Sequence, residues 1–237
     1  RRTPELGPRI LFFSGGTALH ALSQMLITYT YNSIHLVTPF DDGGSSRRLR
    51  DAFHMIAIGD LRNRLMALSD QAVKGSPQIY RLFDHRLPKQ EDNHLLAQHL
   101  NDIAKGRDPL VTVIPHPMRT ILCSHLDYFL RRMPAHFDLR GANIGNLVLA
   151  GIYLDSDTSI DKALDVLSHL LGVRGVVRPL LEDHLHLAAE LENGTLLAGQ
   201  HLITGKEVPH ISCPIKRIFL SNTLHNPTPI PTHISLD

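Results

Sequence analysis

The sequence predicts an α/β fold of the doubly wound type. Two short apolar runs, Arg9–Phe13 and Ile34–Thr38, are typical of buried strands. Each is followed at once by a turn that contains glycine or proline, and residues at helical spacing up to about Tyr29 lie between them. Strand, turn, helix and strand make the first βαβ unit of such a fold. Because βαβ connections are almost always right-handed, both turns should open at the carboxyl edge of the sheet.

Length and composition exclude several classes of protein. The 237 residues suffice for one large α/β domain, which we expect to span 1–237. The net charge of +1 argues against nucleic-acid binding, and the ordinary apolar content argues against disorder. No apolar window approaches the ~18 residues of a membrane span, so we expect no membrane partner. Cys123 and Cys213 form no motif, which favours reduced cysteines and a cytoplasmic protein.

The first turn is a candidate phosphate cradle. Gly15, Gly16 and Thr17 follow the first strand directly. Backbone amides in such a turn can point at an anion. The fuller G-x-G-x-x-G fingerprint is absent, and a turn that merely packs explains the two glycines equally well.

The second turn carries the strongest pattern. Two adjacent carboxylates, Asp41 and Asp42, end the second strand and precede a helix whose first turn we expect to carry three arginines. The acidic doublet can hold a ribose hydroxyl, or a Mg²⁺ ion with phosphate attached. The hydroxyl of Ser45 or Ser46 is a natural N-cap. This stretch therefore predicts a loop that binds phosphate or a metal–phosphate group. Its residues are Asp41, Asp42, Gly43, Gly44, Ser45, Ser46, Arg47, Arg48 and Arg50.

A second capped helix follows at 59–70, with Asp60 as its predicted N-cap. Arg62 and Asn63 lie in its first turn, where a cation is disfavoured unless an anion binds nearby. The alternative is an ion pair between Arg62 and a neighbouring carboxylate, such as Asp51. Leu61, Leu65 and Leu68 form the expected core stripe of this helix.

Polar residues become dominant after residue 70, and the segment 71–135 predicts a helical insertion. Weak helical patterns lie at 78–83 and 95–103, and a stronger one at 118–133 ends before Pro134. The histidines of the segment lack metal-ligand spacing, so surface positions explain them better than a metal site.

Asn143 and Asn146 open an apolar helix and share one face of its first turn. Each amide can cap the helix, or it can bind a base, ribose or sugar hydroxyl by donating and accepting. Beside two other helix starts of the same kind, the binding role is favoured.

The remaining residues predict structural elements. Ser159 should cap a helix that stops at Gly172, and a strand should follow at 173–180. Residues 184–203 predict a β-hairpin around Asn193–Gly194, and 216–220 one more strand. The start at Arg1 and the unclosed end favour a sequence that is part of a longer protein, truncated at its C-terminus.

Four separated motifs together closely resemble the CofD/YvcK (UPF0052) family over about residues 10–220. They are Ser14–Thr17, Asp41–Ser46 with Leu49–Arg50, Gly59–Asn63 and Gly145–Leu147. The chain resembles the YvcK branch more, but Ala18 stands where the family has glycine, and a further Ser-Tyr-Thr-Ser segment is absent. The resemblance implies a Rossmann-like three-layer α/β/α sandwich with its ligand site at the carboxyl ends of the strands.

The resemblance also implies a range of functions. CofD is a 2-phospho-L-lactate transferase, which moves a phospholactyl group from a guanosine diphosphate-linked donor to a deazaflavin alcohol with Mg²⁺. YvcK proteins resemble binders of UDP-sugars that act in carbon metabolism and cell-wall control. The expected partner is thus a GDP- or UDP-linked small molecule; association into a homodimer stays open.

Three hypotheses follow. In a transferase, Asp41 and Asp42 would hold Mg²⁺ or position the acceptor, while arginines such as Arg50 would neutralise phosphate charge. Donor binding would fall to Gly15, Gly16, Thr17, Gly43, Gly44, Ser45, Ser46, Arg47, Asp60, Arg62, Asn63, Asn143 and Asn146. A non-catalytic sensor would bind a nucleotide-sugar through the same residues. The missing G-x-G-x-x-G pattern argues against the third, an NAD-type oxidoreductase.

Overall fold

A computed structural model describes residues 3–15, 18–72, 76–205, 211 and 213–230. Its first sheet contains β1 (Ile10–Ser14), β2 (Ser33–Val37) and β3 (Val176–Pro179), all parallel and in the order β1-β2-β3. The short helix α1 (His20–Leu26) connects β1 to β2. The α/β class with a parallel sheet is therefore confirmed, although the third strand is shorter than predicted.

Alternation along the strands decides which side chains enter the core. In β2, Ser33, His35 and Val37 are buried beneath α3 (Gly59–Ala67), which packs on β2 and β3. On the opposite face of β1, Leu11 and Phe13 remain exposed. The carboxyl ends of β1 and β2 then lead directly into the two predicted turns.

The helices of the main core surround α8 (Ile144–Asp155), which is buried on nearly all sides. Such a helix is apolar all round because it has no solvent face. One continuous hydrophobic core joins α8 to its neighbours. The other helices that contribute to this core are α2 (Gly44–Phe53), α3, α4 (Ser76–Asp84), α5 (Asn93–Ala104), α6 (Pro109–Thr112), α7 (Met118–Arg132) and α9 (Ile160–Leu171).

Helices α4 to α7 occupy the segment 71–135, in which the sequence predicts helices. They contribute to the same core as α2 and α3. The helix α9 begins at its predicted cap, since Ser159 accepts a hydrogen bond from the Lys162 amide at 3.4 Å. It ends at Gly172, whose φ of 59° lies in the left-handed region.

A second, antiparallel sheet has the order β5-β4-β6. It is built from β4 (His186–Leu191), β5 (Leu196–Ala198) and β6 (Ile215–Ser221). The predicted hairpin turn is present, but the prediction of strand up to residue 203 is wrong. Gly199 adopts a φ of 109°, and the chain then turns into the short helix α10 (Gln200–Thr204). This early turn brings α10 against the loop that follows β2.

Candidate functional site

The two turns that follow β1 and β2 lie side by side. The Thr38 amide donates to the Ser14 carbonyl at 3.0 Å. A Cβ atom on Gly15 would stand 2.7 Å from the Thr38 hydroxyl, so the close approach of the two loops requires glycine here. Gly16 and Thr17 lie outside the described residues. Packing against Thr38 accounts for Gly15, whose predicted role as a ligand cradle stays a prediction.

The starts of α2, α3 and α8 converge on one place. The side-chain nitrogen of Asn146, Nδ2, donates to the Ser45 hydroxyl at 3.0 Å, which joins α8 to α2. A Cβ atom on Gly59, the first residue of α3, would stand 2.5 Å from the Ser46 hydroxyl and 3.0 Å from Asp41 Oδ2. A cavity of about 210 Å³ opens where the three starts meet. It is lined by Asp41, Gly43, Gly44, Ser45, Ser46, Gly59, Arg62, Asn63, Arg86 and Asn146.

A larger cavity of about 430 Å³ adjoins the first one and shares Asp41, Gly43 and Gly44 with it. Helix α10 forms the opposite wall. Gly44 has a φ of 48°, and nothing lies within 4 Å of where its Cβ would be. The remaining lining residues are Asp42, Arg47, Arg48, Asp60, Gln200, His201 and Thr204.

The predicted N-caps of α2 and α3 are wrong. Helix α2 begins at Gly44 with Gly43 as its cap residue, so Ser45 and Ser46 lie buried inside its first turn. Helix α3 is preceded by Ile58, which places Asp60 second in the helix. The Ser45 hydroxyl instead accepts a hydrogen bond from the side-chain nitrogen of Asn146.

The arginines of α2 differ from one another more than the sequence suggests. The expectation that all three lie in the first turn is wrong, because Arg50 lies in the last turn and is 2% exposed. Arg47 pairs with Asp51 at 3.8 Å, and Arg48 donates to the Asp138 carbonyl at 3.0 Å. Arg47 and Arg48 thus line the larger cavity, whereas the buried Arg50 does not.

Arg62 does not pair with Asp51, which pairs with Arg47 instead. Its guanidinium donates to the Phe83 carbonyl at 2.5 Å and to Asn63 Oδ1 at 2.6 Å. Its Nε has no partner among the described residues, although the side chain lines the 210 Å³ cavity. Burial, and secondly the charge of Arg86, lowers the pKa of Arg62 to about 10. The residue still carries its charge at neutral pH, so the cavity has one cationic wall.

The two asparagines at the start of α8 have different structural roles. Asn143 is 1% exposed and caps α8, because its Oδ1 accepts from the backbone N–H of Asn146 at 3.0 Å. Its side-chain nitrogen donates to the Phe83 carbonyl at 2.9 Å. These are the hydrogen bonds of the capping alternative, and Asn143 does not line either cavity. Asn146 does line the smaller one, and its Oδ1 has no partner in the part of the chain that is described.

The two adjacent carboxylates, Asp41 and Asp42, have different hydrogen-bond partners. Asp41 Oδ1 accepts from the Gly43 amide at 3.1 Å. Asp42 uses both oxygens on α10: Oδ1 accepts from the His201 amide at 3.0 Å, and Oδ2 contacts His201 Nδ1 at 2.6 Å. A metal at Asp42 would have to compete with these bonds. Asp41 and Asp60 both border the larger cavity, and their hard oxygen donors suit Mg²⁺ better.

Three residues of this region have no pattern in the sequence that points to them. His201 lies in what resembles a strand, and its contact with Asp42 spans 159 positions. Gly199 is needed there because a Cβ would stand 2.5 Å from Asp42 Oδ2. Arg86 reaches the smaller cavity from the segment after α4. Only the fold brings these residues to the site.

Two features are absent from the described residues. No helix among them is long and apolar enough to cross a membrane. Within the same residues, no group of three or more His, Cys, Asp or Glu side chains is arranged to hold a metal ion. Cys123 and Cys213 are free thiols.

The chain is similar to proteins of known family. It is 30% identical to the gluconeogenesis factor of Bacillus subtilis (strain 168) over 222 residues, which are 94% of this chain and 52% of that protein. It is 28% identical to the gluconeogenesis factor of Listeria monocytogenes over 209 residues, which are 87% of this chain and 49% of that protein. The chain thus spans about half the length of these relatives.

A solved structure gives the same result. The crystal structure of a UPF0052 family protein from Bacillus halodurans superposes with a TM-score of 0.63 and 27% sequence identity, covering 91% of this chain and 51% of that one. The similarity is consistent with the Rossmann-like fold expected from the sequence. The family described as 2-phospho-L-lactate transferase CofD matches residues 10–233. The chain therefore belongs to the CofD family.

Proposed function

We propose that the protein binds a nucleoside-diphosphate-linked small molecule where α2, α3 and α8 begin, and that it transfers a phosphoryl-linked group from this donor to a hydroxyl. The convergence of the three helix starts on one cavity is the observation that carries the proposal. Backbone N–H groups at helix starts are unpaired and favour an anion.

Two buried polar atoms support a ligand in this cavity. The Nε of Arg62 is a donor without a partner, and the Oδ1 of Asn146 is an acceptor without one, both among the described residues. Buried polar groups are normally hydrogen-bonded, so these two unpaired atoms mark places where a ligand or a water molecule supplies the missing hydrogen bond. A phosphate oxygen would satisfy Arg62, and a hydroxyl or N–H group of the ligand would satisfy Asn146.

The size of the adjoining cavity fits this ligand class. Its volume of about 430 Å³ falls within the range of ~300–1,000 Å³ that is usual for small-molecule sites. Gly43 and Gly44 leave the backbone of the loop open to a diphosphate, and Arg47 and Arg48 add charge at the rim. The base would lie away from these charges.

Asp41 and Asp60 are the residues that would hold Mg²⁺. When bound, Mg²⁺ neutralises diphosphate charge. Protein sites usually hold it through one or two carboxylates together with the substrate phosphates. Asp42 would orient α10 rather than hold the ion.

A sensor that binds without turnover is the second candidate. The relatives named gluconeogenesis factor favour it, because that name describes a role in carbon metabolism rather than a reaction. Such a protein would bind a UDP-sugar through the same cavity and would signal through a partner.

Calorimetry with GDP, UDP, UDP-sugars and deazaflavin, each with and without Mg²⁺, tests the proposal. We expect micromolar binding of at least one nucleotide that strengthens when Mg²⁺ is present. Donor-dependent product formation would identify a transferase, and binding without turnover over a broad acceptor panel would identify a sensor. Failure of every nucleotide to bind the folded chain would refute both.

A further inference from the structure

Two hydrogen bonds of different kinds join Asp42 to His201. The backbone N–H of His201 donates to Asp42 Oδ1 at 3.0 Å, which ties the start of α10 to the loop that follows β2. The second bond joins the imidazole Nδ1 to Asp42 Oδ2 at 2.6 Å, so the ring itself is oriented. Gly199 lets the two residues meet, because a Cβ there would stand 2.5 Å from Asp42 Oδ2 and 3.0 Å from the ring atoms Cε1 and Nδ1 of His201. This local structure fixes the orientation of one imidazole.

Asp42 decides which ring nitrogen of His201 carries the proton. An ionised carboxylate only accepts hydrogen bonds, so Nδ1 of the neutral ring is the donor. The lone pair then lies on Nε2, and no residue among those described donates a hydrogen bond to that nitrogen. The His201 side chain is 29% exposed, whereas that of Asp42 is 9% exposed. The arrangement is that of a proton acceptor oriented by a carboxylate behind it.

The other side chains of the 430 Å³ cavity are less suited to accept a proton. Among the described residues that line it, the arginines stay protonated, and the amide and hydroxyl side chains are not bases at neutral pH. Asp42 uses both of its oxygens on His201. Asp41 and Asp60 would hold Mg²⁺ under the proposed function. His201 is therefore the lining side chain with a free basic nitrogen.

We propose that His201 is the general base of the transfer and that Asp42 positions its ring. This inference rests on the proposed function, because it assigns the proton of that reaction. The oxygen of the acceptor hydroxyl attacks the distal phosphorus of the diphosphate, and its proton passes to Nε2 of His201. As the new O–P bond forms, the bond from this phosphorus to the bridging oxygen breaks, and its electron pair leaves with the nucleoside monophosphate. The proton on Nε2 is then released to solvent.

Turnover measurements with and without the imidazole test this role. UDP-glucose, or the guanosine diphosphate-linked lactate donor in a second arm, would be mixed with a deazaflavin alcohol and Mg²⁺, and the release of UMP or GMP would be measured by chromatography. His201→Ala should lower this rate about a hundredfold or more at saturating donor, as loss of a general base does. The dissociation constant of the donor, from calorimetry, should change by less than about threefold. Added imidazole should restore part of the rate, because it can enter the space that the ring leaves.

A second aspartate–histidine pair supplies the matched control. His99 Nε2 lies 2.9 Å from Asp108 Oδ2, and neither residue lines the cavities of the proposed site. His99→Ala should leave the rate unchanged and should not respond to imidazole. Asp42→Asn at saturating donor should lower the rate as well, because an amide can donate to Nδ1 and leave the ring proton on Nε2.

The protonation of His201 can also be measured without any reaction. Two-bond ¹H–¹⁵N spectra of the protein labelled with ¹⁵N-histidine report which ring nitrogen carries a proton, and the signal of His201 is the one missing from His201→Ala. At about pH 8 we expect the proton on Nδ1 and the lone pair on Nε2. In Asp42→Asn the proton should move to Nε2.

The outcomes separate this inference from the proposed function. Turnover in the wild type with an equal rate in His201→Ala supports the transferase and overturns the role of His201. A wild-type ring that carries its proton on Nε2 overturns that role whether or not turnover occurs. A loss of rate that accompanies a loss of donor binding, without rescue by imidazole, also overturns it, because His201 would then serve only the structure of α10. Donor binding without turnover favours the sensor and overturns the general base, and failure of every nucleotide to bind refutes both proposals.

Discussion

The side-chain nitrogen of Asn146, Nδ2, donates to the hydroxyl of Ser45 at 3.0 Å, and the two residues are 101 positions apart in the sequence. Both residues are nearly completely buried, and each lies in the first turn of a helix. The hydrogen bond holds the start of α2 against the start of α8, with Gly59 of α3 beside them. The proposed phosphate site thus depends on one side-chain contact between distant helices.

A double-mutant cycle would measure this contact. Ser45→Ala and Asn146→Ala should each lower the free energy of unfolding by about 1–2 kcal/mol, because each leaves a buried polar partner unsatisfied. Their effects should couple by about 1 kcal/mol. Urea unfolding of the two variants and the double variant gives these values. Additive effects would show that the two side chains do not interact, and Asn146→Ala should also weaken nucleotide binding.

Gly199 should be needed for the contact of Asp42 with His201. A Cβ atom would stand 2.5 Å from Asp42 Oδ2 in Gly199→Ala, and the φ of 109° adds backbone strain. We expect a loss of about 2–4 kcal/mol of stability and weaker nucleotide binding. Gly194→Ala is the control, since Gly194 has a φ of 84° but nothing within 4 Å of its Cβ position. Equal losses in thermal unfolding of both variants would mean that strain alone, without a collision, accounts for Gly199.

The two carboxylates should respond differently to neutralisation. Asp41→Asn should remove most of the strengthening of nucleotide binding by Mg²⁺, because Asp41 borders both nucleotide cavities and lies near Gly59. Asp42→Asn should weaken binding equally with and without Mg²⁺, because it disturbs α10 rather than the ion. Calorimetry with GDP or UDP at two Mg²⁺ concentrations distinguishes the two effects. The opposite pattern would assign the metal to Asp42.

His35 should make stability depend on pH. It is 1% exposed, and burial, with a smaller effect of Arg64, lowers its pKa from 6.5 to about 4. The folded state therefore binds this proton less readily than the unfolded chain. The free energy of unfolding therefore has its full value above pH 6.5, and it decreases as the pH falls from 6.5 towards 4, because only the unfolded chain then protonates His35.

The variant His35→Phe would isolate this effect, because a phenyl ring can keep the stacking on Phe12, whose ring centroid lies 4.9 Å away. Between pH 7 and pH 4.5 the wild type should lose about 2–3 kcal/mol more stability than the variant. Urea unfolding at both pH values measures the difference, and carboxylates common to both proteins cancel. Parallel losses would show that His35 does not titrate between these pH values.

Much of the local structure follows from short patterns. The first two strands, the stripe of Leu61, Leu65 and Leu68, and the cap of α9 at Ser159 are all where the sequence places them. Each depends on periodicity or on residues within a few positions of one another. Two of the predictions that failed, the cap at Ser45 or Ser46 and the cap at Asp60, concern side chains whose partners or surroundings come from distant elements.

By itself, the sequence determined the α/β class, the loops that carry the acidic doublet and the glycines, and the family, because these are encoded by neighbouring residues. Only the tertiary structure decided that Asn143 caps while Asn146 faces a cavity, that Asp42 binds His201, and that Arg50 is buried without a carboxylate partner among the described residues. The physical reason is that each of these outcomes depends on which polar atoms the folded chain leaves unsatisfied. That balance is settled by contacts between elements up to 159 positions apart.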